Sequence, residues 1–270
     1  MPPEALALAL TAAVIHAGWN LLLAGARDSQ AFAAIVLLVG GVIGAPVAAL
    51  DWHFEAAGWP FVAATCMLEL AYFALLAYAY THAELSVVYP LARGLAPVFV
   101  LAGAVVLTGA GTTSKQVTGV LLVGAGILLV RGLRRGRGAV LAVVIAGVIA
   151  TYTVVDKHGV RYVSPLAYLE IMSVVTGVAY AGWIVADRGA GALRAELNRR
   201  SIAAGIGTFV AYACVLFALR LASAASVAAV RESGVLVVTL LAAVFLRERV
   251  TLWRAGGAVL VVAGVALLSL

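Results

Sequence analysis

The hydrophobic positions of this chain do not alternate; they run together for about 20 residues at a time, the length a helix needs to cross the hydrocarbon of a bilayer, and short polar stretches separate the runs. Ten spans are predicted: roughly Ala5 to Ala24, Ala31 to Leu50, Trp59 to Tyr80, Val87 to Leu107, Gln116 to Val130, Ala139 to Val155, Leu166 to Ala186, Ile202 to Leu221, Ser226 to Leu246 and Leu252 to Leu270. The connector after the fifth, Arg131 to Gly138, alternates arginine with glycine and divides the chain near its midpoint. Met1-Pro2-Pro3-Glu4 lacks the basic start of a cleavable leader, so the first run is read as a membrane helix.

Composition sharpens this picture. With 64% hydrophobic and 11% charged residues and a mean hydropathy of +1.11, the 270-residue chain is not an ordinary soluble domain. The expectation is an all-α, multi-pass protein of the cytoplasmic (inner) membrane. The net charge of +6 comes from arginines placed between apolar runs, which gives no support for nucleic acid as a partner. Cys66 and Cys214 sit singly inside apolar runs, so neither a disulfide nor a metal site is read, and no cofactor is implied. No HExxH, GxSxG or pair of aspartates on one helix is present, which argues against an enzyme.

A midpoint hinge invites a search for an internal repeat. Sliding the chain by 140 residues superposes Ala71-Tyr72 on Ala211-Tyr212, Ser86-Val87 on Ser226-Val227, and Gly94 on Gly234. The nine identities over the 37 positions from Ala71 to Leu107 are about twice chance for so biased a composition. Gly119 and Gly126 recur as Gly257 and Gly264 with the same spacing of seven. Two halves are therefore expected, residues 1–135 and 136–270, each of five helices. An odd number of crossings makes them an inverted pair, with a site at their interface.

Ten helices in two halves, His16-Ala17-Gly18-Trp19-Asn20 in the first, Tyr89-Pro90-Leu91-Ala92-Arg93-Gly94 in the fourth and Tyr152-Thr153-Val154-Val155-Asp156-Lys157 in the sixth resemble the EamA-type proteins of the drug/metabolite transporter superfamily. The resemblance spans the whole chain and implies a carrier. Leu246-Arg247-Glu248-Arg249 keeps that family's Gly-Glu-Arg-like turn in the second half, whereas Leu107-Thr108-Gly109-Ala110-Gly111 lacks it in the first.

Polar residues inside the runs are the candidate site, since a charge at the bilayer centre costs about 2.5–3.5 kcal/mol on insertion scales. Thr65, Glu69, Tyr72, Leu76 and Tyr80 share one face of the third helix. Glu69 is read as a counter-charge for an ammonium group, as a group that carries a proton, or as a structural partner of Arg93. Arg93, just past Pro90, is read as a bidentate holder of a carboxylate or phosphate, or as the partner of Glu69 or Glu232. Arg231 and Glu232 fall at the pseudo-equivalent place in the ninth helix; Arg231 is equally compatible with snorkelling to the interface, while Glu232 favours a buried partner. His16, Trp19 and Asn20 line one face of the first helix, with Tyr152, Thr153 and Asp156 as their counterpart in the sixth. Tyr89, Glu170 on a stripe with Ser173, Gly177 and Tyr180, and Tyr212, aligned with Tyr72, complete the candidate substrate-binding set. Gly40 and Gly44 form a GxxxG pair, read as intramolecular packing rather than a dimer contact.

Basic residues beside the spans divide unequally. Arg27, Arg131, Arg134, Arg135, Arg137, Arg188, Arg194, Arg199, Arg200, Arg247, Arg249 and Arg254 fall on one side, and Lys115, Lys157, Arg161 and Arg220 on the other. The positive-inside rule places the twelve in the cytoplasm and both termini outside; the family resemblance implies termini inside. The function expected is alternating-access transport of a small polar or zwitterionic metabolite, an amino acid or related amine, with protons as candidate coupling ions. The alternative is an exporter of cationic drugs or a carrier of choline-like quaternary ammonium compounds. Oligomeric state, monomer or homodimer, stays open.

Overall fold

The computed structural model describes residues 1–83, 85–131, 138–237 and 251–270, with the backbone alone for a few of them, Asn20, Tyr80, Tyr89 and Pro90 included. Eleven α-helices are present among the described residues: α1 (Pro3–Ala24), α2 (Ser29–Leu50), α3 (Trp59–His82), α4 (Leu85–Thr108), α5 (Ser114–Arg131), α6 (Ala139–Gly159), α7 (Pro165–Arg188), α8 (Ala190–Glu196), α9 (Arg199–Leu221), α10 (Ala224–Glu232) and α11 (Leu252–Ser269). The apolar runs forecast nine of these within about four residues at either end. The short α8, between the seventh and eighth spans, was not expected; its seven residues are too few for a periodic signal.

Local chemistry sets the ends. Pro3, Pro60 and Pro165 occupy first turns, where the missing N–H is no loss. Asp28, Asn198, Ser223 and Thr251 cap α2, α9, α10 and α11 with side-chain oxygens, and Ser201 answers Asn198 in a reciprocal capping box. α4 continues as helix through Pro90 and Pro97.

Seven helices among the described residues are long and apolar enough to cross a membrane: Pro3–Leu23, Ser29–Leu50, Ala56–Ala79, Ala139–Gly159, Pro165–Arg188, Arg199–Leu221 and Leu252–Ser269. Leu91–Val106 and Ser114–Val130 are shorter apolar helices. The predicted span from Ser226 to Leu246 enters as α10, and its second half lies outside the described residues, as do the arginine-glycine connector and the turn from Leu246 to Arg249.

The helices pair as an inverted repeat demands. Exchanging α1 with α6, α2 with α7, α3 with α9, α4 with α10 and α5 with α11 maps the α1–α9 contact onto α6–α3, and α2–α9 onto α7–α3. The pairs α2–α7, α4–α10 and α5–α11 map onto themselves, so they straddle the pseudo-two-fold axis. Glycines fix the sense of the last pair. A Cβ on Gly126 would meet the Gly257 carbonyl at 2.6 Å, and one on Gly119 the Gly264 carbonyl at 3.1 Å. The earlier glycine of one helix meets the later glycine of the other, so α5 and α11 are antiparallel. Gly44 packs against Phe209 of α9, which makes the GxxxG pair an intramolecular contact.

Each end of the bundle is tied by loops related through the same exchange. At the end that holds both termini, Ser164 N–H donates to the His53 carbonyl (2.9 Å), Glu55 N–H to that of Tyr162 (3.0 Å), and Ser164 Oγ to that of Asp51 (2.6 Å). At the opposite end, buried Glu196 accepts from the N–H groups of Arg27 (3.1 Å) and Asp28 (2.9 Å), while Arg188 reaches Asp28 (2.6 Å) and Gln30. Gly126→Val is expected to lower the melting temperature of the detergent-purified protein by the equivalent of about 1–3 kcal/mol of overpacking. Gly147→Val, with nothing within 4 Å of its Cβ position, is expected to leave it nearly unchanged.

Candidate functional site

Among the described residues, eight helices contribute side chains that converge between the halves at mid-depth, around a cavity of about 140 Å³, room for on the order of ten waters. Its wall reaches from Leu169 and Val215 to Leu23, Ser29 and Gln30. The last three sit where α1 passes to α2, so the cavity extends toward the end opposite the termini. His16 and Trp19 of α1, Glu69 and Tyr72 of α3, Arg93 of α4, Tyr152 of α6, Tyr212 of α9 and Arg231 of α10 all line it. Eight residues singled out in the sequence thus meet, although they come from both halves.

Charge is concentrated on one wall. Arg93 Nη1 donates to Glu232 Oε1 at 2.8 Å, and Arg231 Nη2 donates to the same oxygen at 3.3 Å. All three residues are buried. Among the described residues, one carboxylate therefore faces two guanidinium groups. Arg231 Nε is buried with no hydrogen-bond partner among the described residues. Arg231 does not snorkel: it is 7% exposed and faces the interior. Of the partners expected for Arg93, the one that reaches it is Glu232.

His16 sits between two donors. Trp19 Nε1 is 3.0 Å from His16 Nδ1, and Arg93 Nη2 is 3.1 Å from His16 Nε2. A neutral imidazole offers one acceptor nitrogen, so it serves one of these donors and not both.

Glu69 is also buried and lines the cavity, and its carboxylate makes no hydrogen bond or ion pair among the described residues. The wall around it is aromatic. Tyr72 and Tyr152 meet edge to face at 6.5 Å, and Phe73 stacks on Tyr180 at 4.9 Å. Ser173 and Tyr180 of the predicted α7 stripe reach the cavity. Glu170 does not line it; its Oε2, buried without a partner among the described residues, points toward Gly44 on α2. Gly177 packs on Leu37 and Leu38. Asn20 and Tyr89 lie outside the described side chains.

A second polar cluster lies beneath the cavity toward the termini. Asp156 Oδ1 accepts from Thr65 Oγ1 at 2.6 Å and from the Tyr168 hydroxyl at 3.0 Å, and its Oδ2 accepts from the Tyr212 hydroxyl at 2.6 Å. The Thr65 and Tyr168 oxygens also lie 2.7 Å apart, so their two hydroxyl hydrogens are shared between each other and Asp156. The sequence showed Thr65 and Asp156 as polar positions on their own helices but gave no sign that they meet, and Tyr168 was missed. Its position near the start of an apolar helix is unremarkable in one dimension. Cys66 and Cys214 are free thiols.

A multi-pass helical bundle built as two inverted halves around a charged internal cavity has the architecture of a membrane carrier. The profile of the EamA-like transporter family matches residues 4–132 and again 136–270, and the chain belongs to that family. A solved structure, described only as a crystal structure of a protein, is similar with a TM-score of 0.80 over 99% of this chain and 96% of that one. At 17% identity that likeness concerns the fold alone. A search of curated proteins returns no match.

Glu232→Gln leaves two buried guanidinium groups without their shared carboxylate. It is expected to destabilise the purified protein by about 3–5 kcal/mol. Arg93→Met retains one cation and one anion, and its melting temperature is expected to fall less.

Proposed function

We propose that the protein is a secondary carrier that moves a small zwitterion, an amino acid or related amine, by alternating access of the cavity to the two membrane faces. One observation carries this reading: buried groups of both signs line a single chamber, and on each wall a charge is left over. Arg231 shares Glu232 with Arg93 and keeps its buried Nε without a hydrogen-bond partner among the described residues, so the cationic wall has capacity for a further carboxylate. Glu69, without an ion pair among the described residues, suits an ammonium group across the chamber. A solute bearing both charges removes both imbalances, whereas an anion or a cation relieves one and leaves the other buried. A cavity of about 140 Å³ suits a metabolite of that size.

The aromatic wall supports a second reading. Trp19, Tyr72, Phe73, Tyr152 and Tyr180 line the same cavity as Glu69, and aromatic faces with a carboxylate hold quaternary ammonium groups. In that reading the arginines are structural.

Thermal shift with purified protein separates the two. A ligand present at 100 times its Kd stabilises by about 2.7 kcal/mol. Amino acids are expected to raise the melting temperature, the gain being lost in both Glu69→Gln and Arg231→Met. A choline response that survives Arg231→Met would favour the second reading.

The expected location is the cytoplasmic membrane. Of the twelve basic residues, the seven that are described, Arg27, Arg131, Arg188, Arg194, Arg199, Arg200 and Arg254, belong to the end toward which the cavity extends, and the positive-inside rule assigns that end to the cytoplasm. A reporter active only outside the cytoplasm, fused after Leu270, is expected to be active; an inactive fusion would reverse the orientation.

A further inference from the structure

Asp156 stands apart from the other buried charges. It is 1% exposed, yet none of the groups bonded to its carboxylate is a cation: all three are hydroxyls, on α3, α7 and α9. The ionisable groups facing it are Cys66 and Glu69 on α3, Tyr168 on α7, Tyr212 on α9, Tyr152 on its own helix, Arg231 on α10 and, across the cavity, Arg93 on α4. Tyr212 belongs both to this cluster and to the cavity wall; Asp156 itself does not line the cavity.

We propose that Asp156 is the binding site of a coupling proton, and that Tyr212 reports its occupancy to the cavity. The proposal deepens the carrier reading by naming the coupling ion and its seat. An ionised aspartate only accepts hydrogen bonds, and here its Oδ2 accepts from Tyr212. A proton added at Oδ2 makes that oxygen a donor. Its O–H then points at the Tyr212 oxygen, and the Tyr212 hydroxyl hydrogen rotates about its C–O bond. No bond between heavy atoms changes, and the carboxylate goes from charge minus one to zero. The freed hydroxyl hydrogen belongs to a residue of the cavity wall, where a solute carboxylate accepts it. Proton and solute therefore favour each other, and by linkage each raises the affinity of the other by the same factor.

The bonds from Thr65 and Tyr168 to Oδ1 survive this step. The clamp joining α3, α6 and α7 beneath the cavity stays closed while Tyr212 changes sense, so the proton acts on the cavity without unlocking the end of the bundle.

The experiment is an infrared difference titration of the full-length protein in lipid, from mildly alkaline to mildly acid buffer, with the proton as the only ligand. The wild type is expected to gain a protonated-carboxyl stretch on acidification. Asp156→Asn is expected to lose that component completely, Tyr212→Phe to shift its frequency because its partner is gone, and Glu69→Gln to retain it. If Asp156→Asn does not fold, Tyr212→Phe and Glu69→Gln decide the matter alone. A component lost in Glu69→Gln and unmoved by Tyr212→Phe would put the proton on Glu69 and overturn the proposal, as would the absence of any titrating carboxyl. No solute enters the measurement, so a failure of the zwitterion reading, seen as no amino-acid thermal shift, is distinguishable from a failure here.

Discussion

The constraint on which the structure turns is that a buried guanidinium must find a carboxylate, and in this chain two of them find the same one. Arg93 arrives on α4 and Arg231 on α10, helices that occupy equivalent places in the two halves, and Glu232 bonds both. Because α4 and α10 straddle the pseudo-two-fold axis, the ion cluster also stitches the halves together at their centre. A two-fold arrangement of identical halves would place arginine opposite arginine. In the superposition by 140 residues Arg93 falls against Ser233 and Arg231-Glu232 against Leu91-Ala92, and that displacement of the charges turns the repulsion into a bridge. Arg231 Nε remains without a hydrogen-bond partner among the described residues, and that is the donor the proposed reading offers to a solute carboxylate.

Symmetry explains the scaffold, and departures from it explain the direction of the chamber. The loops at the two ends are tied by exchanged pairs: α2–α3 with α6–α7 at one end, α1–α2 with α7–α9 at the other. Below the cavity, toward the termini, Asp156, Thr65, Tyr168 and Tyr212 add a clamp of four helices. Aligning helix starts, the counterparts of Tyr168 and Thr65 are Phe32 and Gly205, neither of which has a hydroxyl to donate. The mirrored clamp is therefore not built in full, and the cavity extends toward the end that lacks it.

Most of the architecture was legible because lipid makes its demands one-dimensional: a spanning helix must be apolar over its whole length, so its boundaries show in the sequence. The two halves were legible from the recurrence of the α5 glycines in α11 at the same spacing, and their inversion was expected from an odd count of helices in each half; the opposite order of the glycine contacts came from the structure. The site was legible where the rule against buried charge applies. Glu69, Arg93, Arg231 and Glu232 stand out in any apolar run, and all four lie at or beside the chamber. Glu170 stood out for the same reason and lies elsewhere, because the rule identifies an expensive residue without saying which face of its helix meets the cavity. Asp156 was visible as a polar position, but its environment was not. Tyr168 and Tyr212 reach it from α7 and α9, and tyrosine in an apolar helix is too common to announce a hydrogen bond.

The two polar clusters differ in chemistry, and the proposed mechanism uses that difference. Arginine stays charged throughout, so the Arg93–Glu232–Arg231 bridge keeps a fixed field in the chamber whatever the pH. It suits binding and not switching. A carboxylate surrounded by hydroxyls has the opposite character, since each of its partners can reverse the sense of its bond without moving a heavy atom far. Among the described residues, the side chain common to the hydroxyl cluster and the cavity wall is Tyr212. Any influence of one cluster on the other that travels by hydrogen bonds passes through that hydroxyl, and the field of Arg231 acts on both. In the proposed mechanism the solute is held by the arginine cluster, and the change of state falls on a carboxylate whose partners are all neutral hydroxyls, so the guanidinium groups need not give up their partner when the state changes.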